Sequence, residues 1–426
     1  MRPLVVALII AALFGPACAC AETTSADPAR VERWRADIRE FARVLPKEHT
    51  NFFWRTGKAP FDRGIDSLLA RVPEAPDWAI LAALTRLGAI ADGHTGVQWG
   101  DSAAHTTRVP LVFSRFDEGW YVVATDSARL DVLGARLVAV GDVAIDSVEA
   151  TLAPYVPHEN LPALIDNLGI TLATPEILAG AGLGPDPARV QYAFEDAKGT
   201  RRTLALAGLS DRERLPWVTW MAHANIPTPI ARQDPAANYW FRYLADSRTL
   251  LFRYNRCTEM DTLPFAEFAR RMLAVLDRSP VDRVIVDLRA NSGGNSQVVA
   301  PFRDPLLADP DRARKDRLFV LIGRRTFSSG SMNAAQFARS ATLVGQATGG
   351  GMDSYGETRS FRLTHSRLLV RYSTKFFAMT KEYPWTARNP LSLEPDIPAP
   401  LTWADYRAGR DAALDLAIAA SPQRNE

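Results

Sequence analysis

The stretch RRTFSSGSMNAAQFARSATLVGQATGGG, Arg324 to Gly351, carries the pattern on which the reading of the whole chain turns. It leaves an apolar run, turns through Ser328, Ser329 and Ser331 into a helix-forming segment, and continues into ATLVG and a glycine-rich loop. A serine at such a helix start sits at the positive end of the helix dipole, with the next backbone N–H free to donate. An ordinary N-cap serine has the same surroundings. The stretch holds neither lysine nor histidine, so a nucleophilic serine here needs a base from elsewhere in the chain.

Working outward, strands and helices alternate from Thr249 onward. TLLFRYN, VDRVIVDLR, RLFVLIGR and ATLVG read as strands, and LPFAEFARRMLAVLDRS and SSGSMNAAQFARS as helices. That succession predicts βαβ units in a layered α/β core, with chemistry in the loops that leave the strands. One such loop is DLRANSGGNS, Asp287 to Ser296, where Gly293 and Gly294 let the backbone approach a ligand and turn N–H groups toward it. A tight turn accounts for a lone Gly-Gly equally well. A second loop leaving a buried strand, GRRTFSSG, strengthens the pair.

Upstream, the pattern changes twice. Val31, Trp34, Ile38 and Phe41 after Asp27-Pro28 begin a helical region, residues 22–100, with further helices around Phe61–Leu69 and Trp78–Leu87 leading to the turn DGHTGV. Residues 101–208 are β-rich: VPLVFSRF and GWYVVAT flank an Asp-Glu-Gly turn, ARLVAVGDVAI reads as two strands, and VQYAFEDAKGTRRTLALAG as a hairpin. A helical insert, ENLPALIDNLGITLATPEILAGAG, interrupts them, an order that a degenerate PDZ-like module would have. Residues 209–245, rich in proline and tryptophan, read as a connector whose aromatics pack in a core, and 246–426 as the layered α/β domain.

The first 21 residues read as a secretory leader. Arg2 precedes the apolar run Leu4–Phe14, and Ala19-Cys20-Ala21 fits a cleavage site after Ala21. The run is shorter than the ~20 apolar residues that a spanning helix requires. The expectation is therefore an exported, periplasmic or secreted protein with no stable membrane insertion after cleavage, and Cys257 as its only cysteine. One cysteine supports neither an internal disulfide nor a thiolate metal site. No H-E-x-x-H cluster occurs, and neither a metal nor any other cofactor is expected. Fifty basic against 48 acidic residues leave no field to recruit nucleic acid.

VIVDLRANSGGNS, VLIGRRTFSSGSMNAAQFA, ATLVGQATGG and LEPDIPAP, in that order, resemble the C-terminal processing (tail-specific) serine peptidases, relatives of the tricorn protease core and of the interphotoreceptor retinoid-binding protein repeats. The resemblance runs roughly from Tyr239 to Ala419, and DGHTGV resembles the turn that ends the family's helical region. It implies a ClpP/crotonase-like catalytic domain, often with a PDZ-like module before it. It also implies Ser328 as nucleophile and oxyanion donors at the N–H groups of Ser329 and of Gly293 or Gly294.

The chain departs from the family at the base. Where the bacterial enzymes carry a lysine in a G-x-P-T-x-G-K loop, this chain has Gly351, and Lys375 in YSTKFF reads as a surface lysine on a β segment. The tricorn branch uses a histidine in the turn closing its helical region, and His94 stands at the corresponding place. An imidazole accepts a proton near neutral pH without the burial a lysine needs. Asp92, Glu357 and Glu394 remain as acids to orient it. The implied function is a serine-type endopeptidase acting on extended polypeptide through an acyl-enzyme. The alternative is a non-catalytic protein that binds peptide or an apolar ligand in the same groove.

Overall fold

The computed structural model describes residues 27–98, 106–210 and 216–420. The segment read as a leader lies outside them. Among the described residues, no helix is long and apolar enough to cross a membrane.

The C-terminal part, which the resemblance implies to be the catalytic part, is an α/β layer built on a six-stranded sheet. Its order is Tyr239–Leu244, Thr249–Tyr254, Arg283–Asp287, Leu318–Ile322, Thr342–Gly345 and Ile397–Pro398; the first pair is antiparallel and the others are parallel. The strands are apolar without alternation because both faces are covered. Leu250, Phe252, Val284, Val286, Leu318 and Val320 point to one side, where the helices Phe265–Arg278, Ala300–Ala308 and Ser329–Ala338 pack. Leu251, Ile285, Phe319, Leu321 and Val344 point to the other, against Ala413, Leu414 and Ala417 of the last helix. This period of two from consecutive apolar residues makes one strand serve two cores.

The segment read as a connector differs from a simple linker at both ends. Tyr239–Leu244 is the antiparallel edge strand of the catalytic sheet, and Trp217–Thr219 pairs with Gly119–Asp126 of the preceding sheet. Partners supplied by distant strands decide these two, so local composition could not mark them.

The middle segment forms a seven-stranded antiparallel sheet. Its main order is Trp217–Thr219, Gly119–Asp126, Arg136–Val140, Val190–Glu195 and Arg201–Leu206; Leu111–Phe116 and Val143–Ala144 pair at its sides. Helix Leu161–Thr171 covers it, starting at Asn160, whose side chain accepts the Ala163 N–H.

The first helix, Pro28–Glu48, is capped by Asp27 and buries Val31, Trp34, Ile38, Phe41 and Leu45. With helices Lys58–Arg71 and Asp77–Gly88 it packs on Leu363, Leu368, Val370 and Tyr372 of a long hairpin, Asp353–Arg362 with Leu369–Ala378, from the far end of the chain. Buried Asp37 accepts the N–H groups of His365 and Ser366 at the hairpin tip, and Gly96–Gln98 joins the hairpin as a third strand. The hairpin thus ties the helical region, and the turn that follows it, to the catalytic part.

Candidate active site

Ser328 stands at the C-terminal end of the parallel sheet, immediately before helix Ser329–Ala338, with φ 51° and ψ −128°. A non-glycine residue rarely adopts this conformation, at a cost of about 1–3 kcal/mol. Its neighbours fix it. Buried Thr326 accepts Gly323 N–H and donates to the Leu288 carbonyl through one hydroxyl; its own carbonyl accepts from the Ser331 hydroxyl and Gly350 N–H. Phe327 N–H donates to the Asn291 carbonyl at 2.9 Å. Ser331 is therefore a brace of the loop. The Ser329 hydroxyl also bridges, donating to the Gly294 carbonyl at 2.6 Å.

The two glycine loops come too close to Ser328 for any side chain. A Cβ on Gly293 would lie 2.8 Å from Ser328 Cβ, and one on Gly350 would lie 2.9 Å from Ser328 N. Both Gly293 and Gly294 have positive φ, 108° and 130°. They differ in hydrogen bonding. Gly293 N–H donates to Asn291 Oδ1 at 2.9 Å, whereas no hydrogen bond engages the Gly294 or Ser329 N–H among the described residues. Of the two glycines that sequence left open, Gly294 has the N–H free to meet an oxyanion. Cys257 backs this loop: its N–H donates to the Gly293 carbonyl and its carbonyl accepts from Asn295 N–H. Burial pushes its thiol up to about 11, so it stays protonated and inert.

The helical region brings its closing turn to this loop. The His94 ring lies over Phe327, with centroids 4.4 Å apart, one residue from Ser328. His94 Nδ1 is 3.3 Å from Glu159 Oε1 and both side chains are nearly buried, but no hydrogen bond joins the two, and Nε2 likewise has no protein partner among the described residues. Glu159 Oε2 accepts Gly351 N–H at 2.8 Å, so the backbone where the family places its lysine here holds an acid. A Cβ on Gly351 would lie 3.2 Å from that same oxygen.

Sequence reading missed Glu159, which lies in the loop before the middle-segment helix. Its neighbour Asn160 clamps the loop to the catalytic part, donating to the carbonyls of Thr348 and Leu391 at 3.1 and 2.6 Å. The acids it did name sit otherwise. Glu357 is exposed, 3.8 Å from Lys375 Nζ, and Glu394 is exposed and accepts from Asn389. Lys375 is itself exposed, beside the Phe377 ring.

Asp92 is fully buried and serves the turn's backbone. Its carboxylate takes five hydrogen bonds: from His49 Nε2 at 2.6 Å, His94 N–H at 2.7 Å, Thr95 N–H at 2.9 Å, the Thr95 hydroxyl at 3.0 Å and the Ser373 hydroxyl at 3.1 Å. His49 Nδ1 accepts Asn51 N–H, which leaves the proton on Nε2, facing Asp92. The His94 carbonyl accepts from Arg371 Nε at 3.0 Å, so His94 is held at both ends of its backbone. Burial alone would raise the Asp92 pKa, but the hydrogen bond from His49, the electrostatic pull of the neighbouring His94 and His49 rings and the His94 N–H outweigh it and hold the carboxyl below its ordinary value.

No family model and no curated protein sequence matches the chain. Among solved structures, mature CPAF complexed with lactacystin aligns over 92% of this chain and 98% of its own at 12% identity, TM-score 0.62. A second mature CPAF structure aligns over 92% and 97% at 14% identity, also with TM-score 0.62. The photosystem II D1 C-terminal processing protease aligns over 89% and 98% at 14% identity, with a lower TM-score of 0.41. Likeness at such identity is likeness of fold, and at that level the resemblance to the C-terminal processing peptidases holds: the chain has the α/β fold of mature CPAF over nearly its whole length.

Asp92→Ala should lower the unfolding free energy by about 3–5 kcal/mol, because it strands buried donors around a lost charge. Because the folded pKa of Asp92 lies below its ordinary 3.8, its contribution is present above that value and is lost as pH falls through the folded pKa. Urea denaturation should show wild type losing more stability than Asp92→Asn as pH is lowered below about 4. Equal stability of wild type and Asp92→Ala at neutral pH would remove Asp92 as the hub of this turn.

Proposed function

We propose that the chain is an exported serine-type endopeptidase that hydrolyses peptide bonds of extended polypeptides. The observation that carries this reading is the His94–Glu159 pair packed on Phe327, next to a serine in a strained conformation and two unengaged backbone N–H groups. The fold shared with mature CPAF is consistent with it.

In the proposed reaction, Ser328 Oγ attacks the substrate carbonyl carbon and its proton passes to His94 Nε2. Glu159 orients the ring through Nδ1 and stabilises the imidazolium that forms. The N–H groups of Gly294 and Ser329 receive the oxygen that becomes negative in the tetrahedral intermediate, where preorganised donors have their largest effect. Collapse breaks the C–N bond, and His94 returns the proton to the departing amine. Water, giving a proton to the same nitrogen, then attacks the Ser328 ester; the C–Oγ bond breaks, the carboxylic acid leaves and His94 returns the proton to Ser328 Oγ. Lys375 and Gly351 have no part in the proton transfer. The helix-start brace at Ser331 and the backbone role of Asp92 support the loop and the turn without touching substrate. The non-catalytic alternative draws its support from the missing lysine; the proximity of buried Glu159 to His94 favours the enzyme reading.

A fluorophosphonate probe should label wild type at Ser328, and Ser328→Ala should abolish both labelling and peptide cleavage. Ser331→Ala should retain labelling at Ser328. His94→Ala should lower turnover by about 10²–10⁴-fold in a folded protein. Failure of wild type to label under any condition would overturn the peptidase reading in favour of a binding protein.

Export rests on the leader-like segment alone. The intact mass of the protein from a bacterial envelope fraction should correspond to a chain beginning at Glu22. A retained Met1, or a lipid on Cys18 or Cys20, would contradict the proposal.

A further inference from the structure

A cavity of about 650 Å³ lies between the middle sheet and the catalytic part. Strand Leu111–Phe116 and helix Leu161–Thr171 form one side; the ends of strands Leu318–Ile322 and Thr342–Gly345, with the segment 399–413, form the other. Ser328, His94 and Glu159 are not among its walls. Val112, Ile170, Trp217 and Leu401 give it an apolar face that is open to the cavity, with Phe113 and Trp120 buried behind it.

The opposite face is built of arginines, and they are not equally neutralised. Arg253 and Arg289 share the buried carboxylate of Asp287 at 2.5 and 2.7 Å, and Arg289 also grips Asp411 at 2.6 Å. Arg410 is paired with Asp405 at 2.6 Å. Arg232 has no carboxylate within ion-pair distance among the described residues; its guanidinium lies over the Tyr406 ring, 4.3 Å from the centroid. These four guanidiniums therefore meet three carboxylates, Asp287, Asp411 and Asp405, at this end of the cavity, leaving one positive charge in excess.

Each feature points toward an anion. A cleft with low-dielectric walls concentrates the field of an excess charge. A stacked guanidinium is already oriented, so it loses little freedom on taking a second partner, and its planar fork matches a carboxylate. The apolar face opposite would be exposed in an empty cavity and favours a ligand with an apolar body. We propose that this cavity binds a small apolar molecule ending in a carboxylate, with the carboxylate on Arg232 and the apolar part against the face of Val112, Ile170 and Trp217. The site is separate from the one assigned to peptide hydrolysis.

Calorimetric titration of the purified full chain with octanoate, octan-1-ol and inorganic phosphate tests this. Octanoate should bind saturably, and octan-1-ol, lacking the charge, and phosphate, lacking the apolar body, should bind at least about ten-fold more weakly, the factor of one lost charge-assisted contact. Arg232→Met should weaken octanoate by a similar factor while leaving the rate of probe labelling at Ser328 unchanged. Ile170, which is 48% exposed, can be changed without disturbing the core, and Ile170→Trp should weaken octanoate by filling the cavity. Absence of saturable octanoate binding, equal affinity for octan-1-ol or phosphate, or unaltered octanoate affinity in both variants would overturn the proposal.

Discussion

A single buried carboxylate holds together the parts that make this site. Asp92 takes hydrogen bonds from the end of the first helix through His49, from the turn it belongs to through His94 and Thr95, and from the long hairpin through Ser373. A fully buried charge is tolerable only when donors replace the water it has lost, and here five do so. The consequence is geometric. The helical region cannot shift against the hairpin without breaking this cluster, so the imidazole that projects from the turn is placed relative to the catalytic sheet.

The catalytic sheet sets the other half of the geometry. Its parallel strands end together, and the loops leaving Asp287, Ile322 and Gly345 converge, with Thr326 and Asn291 fixing their relation. This scaffold keeps Ser328 in a backbone conformation that it would not adopt alone. The middle segment adds the third component, since Glu159 reaches Gly351 N–H and His94 only while Asn160 keeps its loop on the catalytic part. The site is thus shared among three stretches of chain, and seating of the middle segment is a condition for its completion.

What sequence made legible follows from locality. The strand runs VIVD and FVLI, the glycine pair and the Ser328 helix start are each decided within a few residues, and the structure contains them as strand, loop and turn. His94 could be singled out because its turn carries a recognisable pattern. Glu159 could not, because its role arises from the docking of a segment 65 positions away, and nothing in PHENLPA distinguishes that glutamate from a solvated one. The same holds for His49, which meets Asp92 only after the first and third helices pack. The strand Tyr239–Leu244 was hidden within aromatic and proline-rich sequence because its partner, not its own pattern, makes it a strand.

The most direct test of the account is a crystal structure of the protein after reaction with a peptide aldehyde. The account predicts a bond between Ser328 Oγ and the former carbonyl carbon, with the adduct oxygen about 2.7–3.1 Å from the N–H groups of Gly294 and Ser329. It also predicts His94 Nε2 turned toward the adduct while Nδ1 stays on Glu159. An adduct on any other residue, or a Ser328 adduct with His94 rotated away and Glu159 unpaired, would contradict it.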